Sequence, residues 1–372
     1  MKKSIKKGTL WGKQVQIFIT DICNLNCDGC PYPFIPKEKY TTMRQQELNP
    51  REWKKITDYL YEQGIRLFCL IGGEPASYSG LDKVIEKITD HPDAFALLST
   101  SGIHPLHDLI LRKKLAQILS RPRSNKFKNG VAISFDAIPA LPGPKNSREL
   151  KAKQGLDFIK CLQEEYGDKI TYTANVMVNP GNINSVLAIQ TFLEKRGIFT
   201  NICTQQMKCF NRIPVFDQTH LSQLTKAALE LIKRKINRGM VVNSAIYLSQ
   251  LPGIVGLENY QCWKEPQGSP VLDFAPNGNL RYCNWIGQDG PDGTPSVDIS
   301  KQIKDNLVLG SEIWEQSKKI TKQLCQGCSW SRRDRNIEPI AEFNHEIFNN
   351  EFFQLDPTLF KLQNIWVQAQ HS

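Results

Sequence analysis

No run of roughly 18 or more apolar residues, the length a membrane-spanning helix needs, occurs in this chain. The Lys-rich start leads into Trp11 and a polar strand, where a secretory signal would carry an apolar core. A cytoplasmic protein with no membrane partner is expected. The sequence also lacks low-complexity segments and the interleaved aromatic and basic residues of single-strand binders, which argues against a nucleic-acid partner. Acidic residues are the minority charge: 37 Asp and Glu against 47 Lys and Arg give a formal net charge of +10. Residues 1–14 hold part of the excess in Lys2, Lys3, Lys6, Lys7 and Lys13, which read as a solvated basic arm. The remainder favours an acidic or phosphorylated substrate, a statement about association and not about fold.

What the chain has in plenty is cysteine. With 372 residues and 11 cysteines it is too large and too regularly patterned for a small disulfide scaffold, so metal ligation explains the thiols better. The pattern consists of short β-branched or apolar runs at 15–20, 65–71, 94–99, 131–135, 170–178 and 198–204, each followed by a helical stretch. The first helix carries clear start signals: Asn49 as N-cap, Pro50 at the first helical position, Glu52 completing a capping box, and Gly64 at the end. Later helices are expected at 81–89, 106–119, 148–165, 183–195 and 221–237. Strands linked through helices imply a parallel sheet with right-handed crossovers. Six βα units are too few for a closed eightfold barrel, so the expected fold class is α/β, an open partial (β/α)6 barrel of the TIM type. Functional groups then belong at the carboxyl ends of the strands. Alternation stops near residue 237 and glycines crowd the next stretch. The expected division is a core over 15–240, a small α+β unit over 241–335, and a segment over 336–372 with no assigned role.

Cys23, Cys27 and Cys30 follow the first strand with C-x3-C-x2-C spacing. Three thiolates on one loop can take three corners of a [4Fe–4S] cube and leave the fourth iron open to a small molecule. A zinc site would ask for a fourth protein ligand, which this triplet lacks. The motif, in this place, resembles that of the radical S-adenosylmethionine superfamily. The resemblance implies that S-adenosylmethionine binds the open iron through its amino and carboxylate groups. It also implies reductive cleavage to a 5′-deoxyadenosyl radical, hydrogen abstraction from a substrate, and an external low-potential electron donor such as flavodoxin or ferredoxin. Relatives often place an aromatic residue before the third cysteine to meet adenine. Gly29 stands there, which passes that contact to Tyr32 or to backbone.

The resemblance continues along the sheet. Gly72-Gly73-Glu74-Pro75 closes the second strand and is similar to the family's GGEP element. Its glycines permit close backbone approach, and Glu74 offers an acceptor to a ligand ammonium. Ser134-Phe135-Asp136 at strand four is similar to the family's serine-x-aspartate; Ser134, with Asn175 on strand five, matches positions that meet the cofactor's carboxylate or ribose, and Asp136 is instead a candidate catalytic residue in contact with substrate. The alternative for each is a tie between a strand end and a loop. Cys203 and Cys209, after strand six, are candidate hydrogen-atom donors, whereas Cys69 and Cys161 read as buried small apolar residues.

Downstream stand Cys262, Cys283, Cys325 and Cys328. A turn at Gly278 leads to a strand ending in Cys283, and an amphipathic stretch over 309–324 delivers Cys325 and Cys328. This resembles the twitch and SPASM auxiliary-cluster domains, and four thiolates would close a second [4Fe–4S] cluster for electron transfer. No cysteine follows Cys328, which suits the shorter twitch form; a structural zinc site is the alternative. Only 22 residues precede Cys23, too few for the peptide-recognition domain of many peptide modifiers, so the substrate is expected to be a small metabolite or a separately supplied peptide. Redox-neutral epimerisation or carbon–carbon bond formation is a further outcome to test. A zinc-stabilised basic nucleic-acid-binding protein is the alternative from another class.

Overall fold

The computed structural model describes residues 14–27, 30, 32, 35–62, 65–122, 128–140, 143, 146–204, 216–243, 245–256, 271–281 and 319. The basic arm over 1–13, Gly29, Gly64, Cys209, Cys262, Cys283, Cys325, Cys328, the 309–324 stretch apart from Lys319, and the segment over 336–372 lie outside the described residues.

The expected strands are present as β1 (Gln14–Thr20), β2 (Leu67–Gly72), β3 (Phe95–Thr100), β4 (Gly130–Ser134), β5 (Thr171–Val178) and β6 (Phe199–Thr204). Two more follow, β7 (Val271–Phe274) and β8 (Leu280–Arg281), giving the order β6-β5-β4-β3-β2-β1-β7-β8. All neighbours are parallel except the β7–β8 hairpin. The described residues form the open, barrel-like α/β sheet expected of a βα series. Strand β7 pairs with β1, Gln14 to Val271 through Ile17 to Phe274, so residues 271–281 lie in the same sheet as the six strands before them. At the opposite edge, Thr200 and Val241 bridge in parallel, and buried Lys235 donates to the carbonyls of Val241 and Val242 at 3.0 and 2.9 Å.

The helices are α1 (Tyr40–Gln46), α2 (Pro50–Glu62), α3 (Leu81–Thr89), α4 (Ile103–His107), α5 (Leu109–Leu119), α6 (Ser147–Tyr166), α7 (Val186–Glu194), α8 (Gln218–Ile236) and α9 (Ala245–Gly256). Three differ from the sequence reading. The stretch over 106–119 is split at Asp108, whose side chain caps α5 by accepting from Leu111 N at 2.9 Å. Helix α1 buries no residue of its own and so shows no apolar stripe. Helix α9 forms in spite of Pro252 and Gly253 because Tyr247, Leu248 and Leu251 bury its apolar side in the main core.

At α2 the capping box is built as read. Asn49 Oδ1 accepts from Arg51 N and Glu52 N, and Glu52 Oε2 accepts from Asn49 N at 2.8 Å. Asn49→Ala should lower stability by about 1 kcal/mol, measurable as a lower denaturant midpoint at unchanged slope; an unchanged midpoint would show the cap to be idle.

Period-two alternation sorts the strand side chains onto two faces. Val15, Ile17 and Ile19, Phe68 and Leu70, Ala96 and Leu98, Val131 and Ile133, and Ala174 and Val176 face the helices in one large core. Each fully buried Leu, Ile or Val contributes about 1.5–3 kcal/mol relative to exposure. Leu67, Cys69, Phe95, Leu97 and Ala132 form a smaller apolar cluster on the other face. Further toward the carboxyl ends, that inward face turns polar with Ser99, Ser134, Asn175 and Asn201. An apolar floor with a polar rim at the strand ends is where such a sheet holds a ligand.

Candidate active site

Where β1 ends, the β2 end runs alongside it toward the cysteines. Gly73 N donates to Thr20 O at 2.8 Å and Glu74 N to Ile22 O at 2.9 Å. The two backbones approach so closely that a Cβ on Gly72 would sit 2.2 Å from Thr20 O, and one on Gly73 would sit 2.4 Å from Ile22 O. Both glycines are therefore required by the chain entering Cys23, and Gly72 also holds φ at +150°, a value side chains rarely adopt. The sequence reading assigned this closeness to a ligand; its immediate cause is the neighbouring segment.

Glu74 has a similar inward purpose. Its carboxylate is buried and accepts four hydrogen bonds: Oε1 from Ala76 N at 3.2 Å and Thr100 Oγ1 at 2.5 Å, and Oε2 from Ser101 N at 2.9 Å and Ser101 Oγ at 2.6 Å. A carboxylate has about four acceptor positions, so Glu74 is filled by protein donors and locks the β2 and β3 ends together. Pro75, also buried, opens a short 3-10 turn over Pro75–Ser77 for which Glu74 is the cap.

The cysteine loop is held from several sides. Tyr40, on the α1 that the sequence did not reveal, donates its hydroxyl to Cys23 O at 2.7 Å. Leu25 N donates to Cys23 Sγ at 3.4 Å, and Cys30 N to Cys27 O at 3.2 Å. Tyr32 and Ile35 pack on Cys23, with Leu25, Cys30, Tyr40 and Met43 around them. Burial pushes the Cys23 thiol up to about 12 and the Cys30 thiol up to about 11, and the neighbouring thiols add to both. Buried thiols so placed keep their protons until a cation takes them as thiolates. Among the described residues no three Cys, His, Asp or Glu side chains converge on a single-ion cage; a cubane binds its thiolates at separate iron corners and needs no such point. Soft thiol donors on one loop fit a three-ligand cluster.

Lys151 is the residue sequence reasoning missed here. It sits in the first turns of α6, between exposed Leu150 and buried Ala152, and nothing in that pattern distinguishes it from a solvated lysine. In the fold its side chain is only 15% exposed, with Nζ 3.8 Å from Cys27 Sγ and 3.5 Å from Asp136 Oδ2. Burial opposes the ammonium charge, yet Asp136 and the thiols of Cys27 and Cys30 outweigh it and hold the Lys151 pKa above the usual lysine value. Asp136 is itself fixed, since Oδ1 accepts from Met177 N at 2.9 Å and its carbonyl accepts from Asn182 Nδ2 at 3.2 Å. The carboxylate read as a possible substrate contact is thus engaged by Lys151 and the end of β5.

Along the polar rim the amides form a chain. Asn243 Nδ2 donates to Asn201 Oδ1 at 2.9 Å, Asn201 Nδ2 to Asn175 Oδ1 at 2.8 Å, and Asn175 Nδ2 to Ser99 Oγ at 3.4 Å. Ser134 lies in register with Asn175, and Met177 with Cys203. Cys203 is half-buried, with Sγ 3.5 Å from Asn201 Nδ2. The fold therefore brings Ser134, Asn175 and Cys203 onto one rim. Asn201 and Asn243 were not singled out, because an Asn in a strand or loop carries no spacing signal. Cys69 is buried in the inward apolar cluster as read.

Glu47 braces the end of β1 by accepting from Thr20 Oγ1, and Thr20 Oγ1 accepts from Ile22 N at 3.1 Å. Burial raises the Glu47 pKa above the usual glutamate value. The native state then binds this proton more tightly than the unfolded chain. Its stabilisation is fully present below the ordinary glutamate pKa and is lost as pH rises through the raised one. Glu47→Gln should remove that part of the slope in stability against pH; denaturant titrations with identical slopes in both proteins would contradict this.

An open parallel sheet with three thiols at the end of its first strand and a glycine-rich loop on its second defines the class of α/β domains that hold an iron–sulfur cofactor at the strand ends. Residues 17–183 match the family model described as the radical SAM superfamily, so that segment carries a radical SAM domain. The matched segment contains the cysteine triplet, the Gly72–Pro75 loop, Lys151 and Asn175. The GTP 3′,8-cyclase of Sulfurimonas denitrificans is 30% identical over 193 residues, covering 50% of this chain and 53% of that protein. The probable GTP 3′,8-cyclase of Methanococcus vannielii is 28% identical over 156 residues, covering 40% and 46%. The chain thus spans about half the length of the curated relatives it matches. In fold it is similar to Streptococcus suis SuiB bound to S-adenosylmethionine, with TM-score 0.57, 12% identity, and coverage of 83% of this chain and 68% of that one. It is also similar to anSMEcpe bound to AdoMet and the Cp18Cys peptide, with TM-score 0.53, 14% identity, and coverage of 94% and 98%. Radical SAM enzymes use a [4Fe–4S] cluster and S-adenosylmethionine. Among the described residues no helix is long and apolar enough to cross a membrane.

Proposed function

We propose that this chain initiates radical chemistry on a small metabolite or peptide substrate, with Cys23, Cys27 and Cys30 as the ligands of a three-cysteine [4Fe–4S] cluster. The observation that carries the reading is the triplet itself, set at the carboxyl end of β1, where Thr20 and Ile22 of the segment entering Cys23 accept backbone hydrogen bonds from Gly73 and Glu74. When bound, the cluster and S-adenosylmethionine supply a 5′-deoxyadenosyl radical able to take hydrogen from substrate. The protein's part is placement. The Gly72–Pro75 loop presents backbone carbonyls to the methionine ammonium, and Glu74 keeps that loop in position. Ser134 and Asn175 offer hydroxyl and amide groups to the carboxylate and ribose, Tyr32 an aromatic face to adenine, and Asp136 holds Lys151 at the cluster side.

Cys203 on the rim, and Cys209 beyond it, are proposed hydrogen-atom donors if the outcome is redox-neutral epimerisation. Cys262, Cys283, Cys325 and Cys328 are proposed to hold a second [4Fe–4S] cluster, in a twitch-like auxiliary unit that continues from the β7–β8 hairpin, and a flavodoxin or ferredoxin is the proposed electron donor. For substrate, the +10 net charge favours an anionic molecule, and the named relatives make GTP the first to test. Oxygen-free enzyme, reductant and S-adenosylmethionine would be incubated with GTP, other phosphorylated metabolites and short peptides, and deoxyadenosine measured. A rise with one class assigns it; equal uncoupled cleavage with all of them would reject these candidates.

A further inference from the structure

A half-buried ammonium beside a proposed cluster ligand has a consequence for the cluster's affinity for electrons. Lys151 leaves α6 with its charge in a half-closed site and meets two sulfur- or oxygen-bearing partners, Cys27 Sγ at 3.8 Å and Asp136 Oδ2 at 3.5 Å. Asp136 cannot follow it elsewhere, because its other oxygen is spent on Met177 N and its carbonyl on Asn182. Asn182 is in turn set by its own turn, where its Oδ1 accepts from Asn179 N at 2.9 Å. The ammonium is therefore held from one side by a fixed carboxylate, and the sulfur of Cys27 lies within reach of its remaining protons.

We propose that Lys151, oriented by Asp136, donates a hydrogen bond to the Cys27 thiolate and thereby raises the reduction potential of the cluster at the triplet. The inference rests on the three-cysteine cluster proposed above. Hydrogen bonds to ligand sulfur and nearby positive charge both favour the more negative, reduced state of an iron–sulfur centre. Reduction here adds one electron from an external low-potential donor; no bond is made or broken and no proton moves. Lys151 is a positioning residue in this account, acting through the sulfur and not on the substrate.

The test is a redox titration followed by electron paramagnetic resonance. It uses the full chain, purified and reconstituted without oxygen, with no S-adenosylmethionine present, so any contact between Lys151 and that molecule is left out. Wild type would be compared with Lys151→Arg, Lys151→Gln and Lys151→Met. Arg keeps charge and donor, Gln keeps a donor only, and Met keeps neither. The expected order of midpoints is wild type and Arg highest, then Gln, then Met. The Met variant should show about a tenfold lower ratio of reduced to oxidised cluster at a given potential, equivalent to about 59 mV for one electron. Should Met fail to fold, the Gln and Arg pair carries the comparison. Coinciding midpoints in cluster-bearing variants overturn the role of Lys151 and leave the cluster intact. A wild type that forms no cluster at the triplet overturns the underlying reading instead.

Discussion

Cys27→Ala protein, reconstituted and reduced without oxygen, is expected to form 5′-deoxyadenosine from S-adenosylmethionine only at background level. The reason is ligand count. A cubane held by three thiolates keeps one iron free for the cofactor; with two thiolates left, the corner once bound by Cys27 is exposed beside Lys151, and the cluster is lost or loosely held. The substitution removes one small side chain that is only partly buried, so the fold should persist and far-ultraviolet circular dichroism should be unchanged. Iron content separates the two proposed centres: about four of about eight irons per chain should disappear if a second cluster is bound downstream. Cys161→Ala, on the helix α6, is the matched control and should retain cleavage. Equal deoxyadenosine yields from Cys27→Ala and wild type would remove the triplet from the chemistry.

The second large effect is expected at Gly73. Its added methyl would lie 2.4 Å from Ile22 O, 2.6 Å from Ile22 C and 3.0 Å from Asp21 C, all backbone atoms of the segment that leads into Cys23. Backbone cannot swing aside as a long side chain can. Relief must come from separating the ends of β1 and β2, breaking the bonds from Gly73 N to Thr20 O and from Glu74 N to Ile22 O. Gly73→Ala should cost about 2–3 kcal/mol and also depress cluster loading, because the displaced segment leads into Cys23, the first proposed ligand. Gly253→Ala is the contrast: nothing lies within 4 Å of its added methyl, and in a helix alanine is favoured over glycine by about 1 kcal/mol. A Gly73→Ala protein with wild-type stability and iron content would show that the two backbones are not held as described.

The sequence made the first six strands legible because each is a short β-branched or apolar run set between helix signals, and those signals report burial directly. Helix α2 was equally readable, since Asn49, Pro50 and Glu52 are chemical statements about a helix start. The site residues fall into two kinds. Cys23, Cys27 and Cys30 stand at a spacing that suits cluster ligation, and Gly72 to Pro75 stood out through their resemblance to the family's GGEP element, so both could be found without coordinates. Lys151, Tyr40, Asn201 and Asn243 come from distant parts of the chain and meet the site only through packing, which leaves no periodic mark. The roles of Gly73 and Glu74 were half visible: their types pointed to a close approach and an acceptor, but that the approach is to Ile22 and the donors are Thr100, Ser101 and Ala76 is a tertiary fact. Helix α9 was hidden because Pro252 and Gly253 are local breakers, and burial of Leu248 and Leu251 overrode them.

The most direct measurement is electron paramagnetic resonance on reduced, oxygen-free protein in which Cys325 and Cys328 are replaced by Ala, so that the triplet is the remaining cluster site. A [4Fe–4S] signal that changes when S-adenosylmethionine is added is the predicted result. No such signal, or one that the cofactor leaves unaltered, would contradict the assignment of Cys23, Cys27 and Cys30.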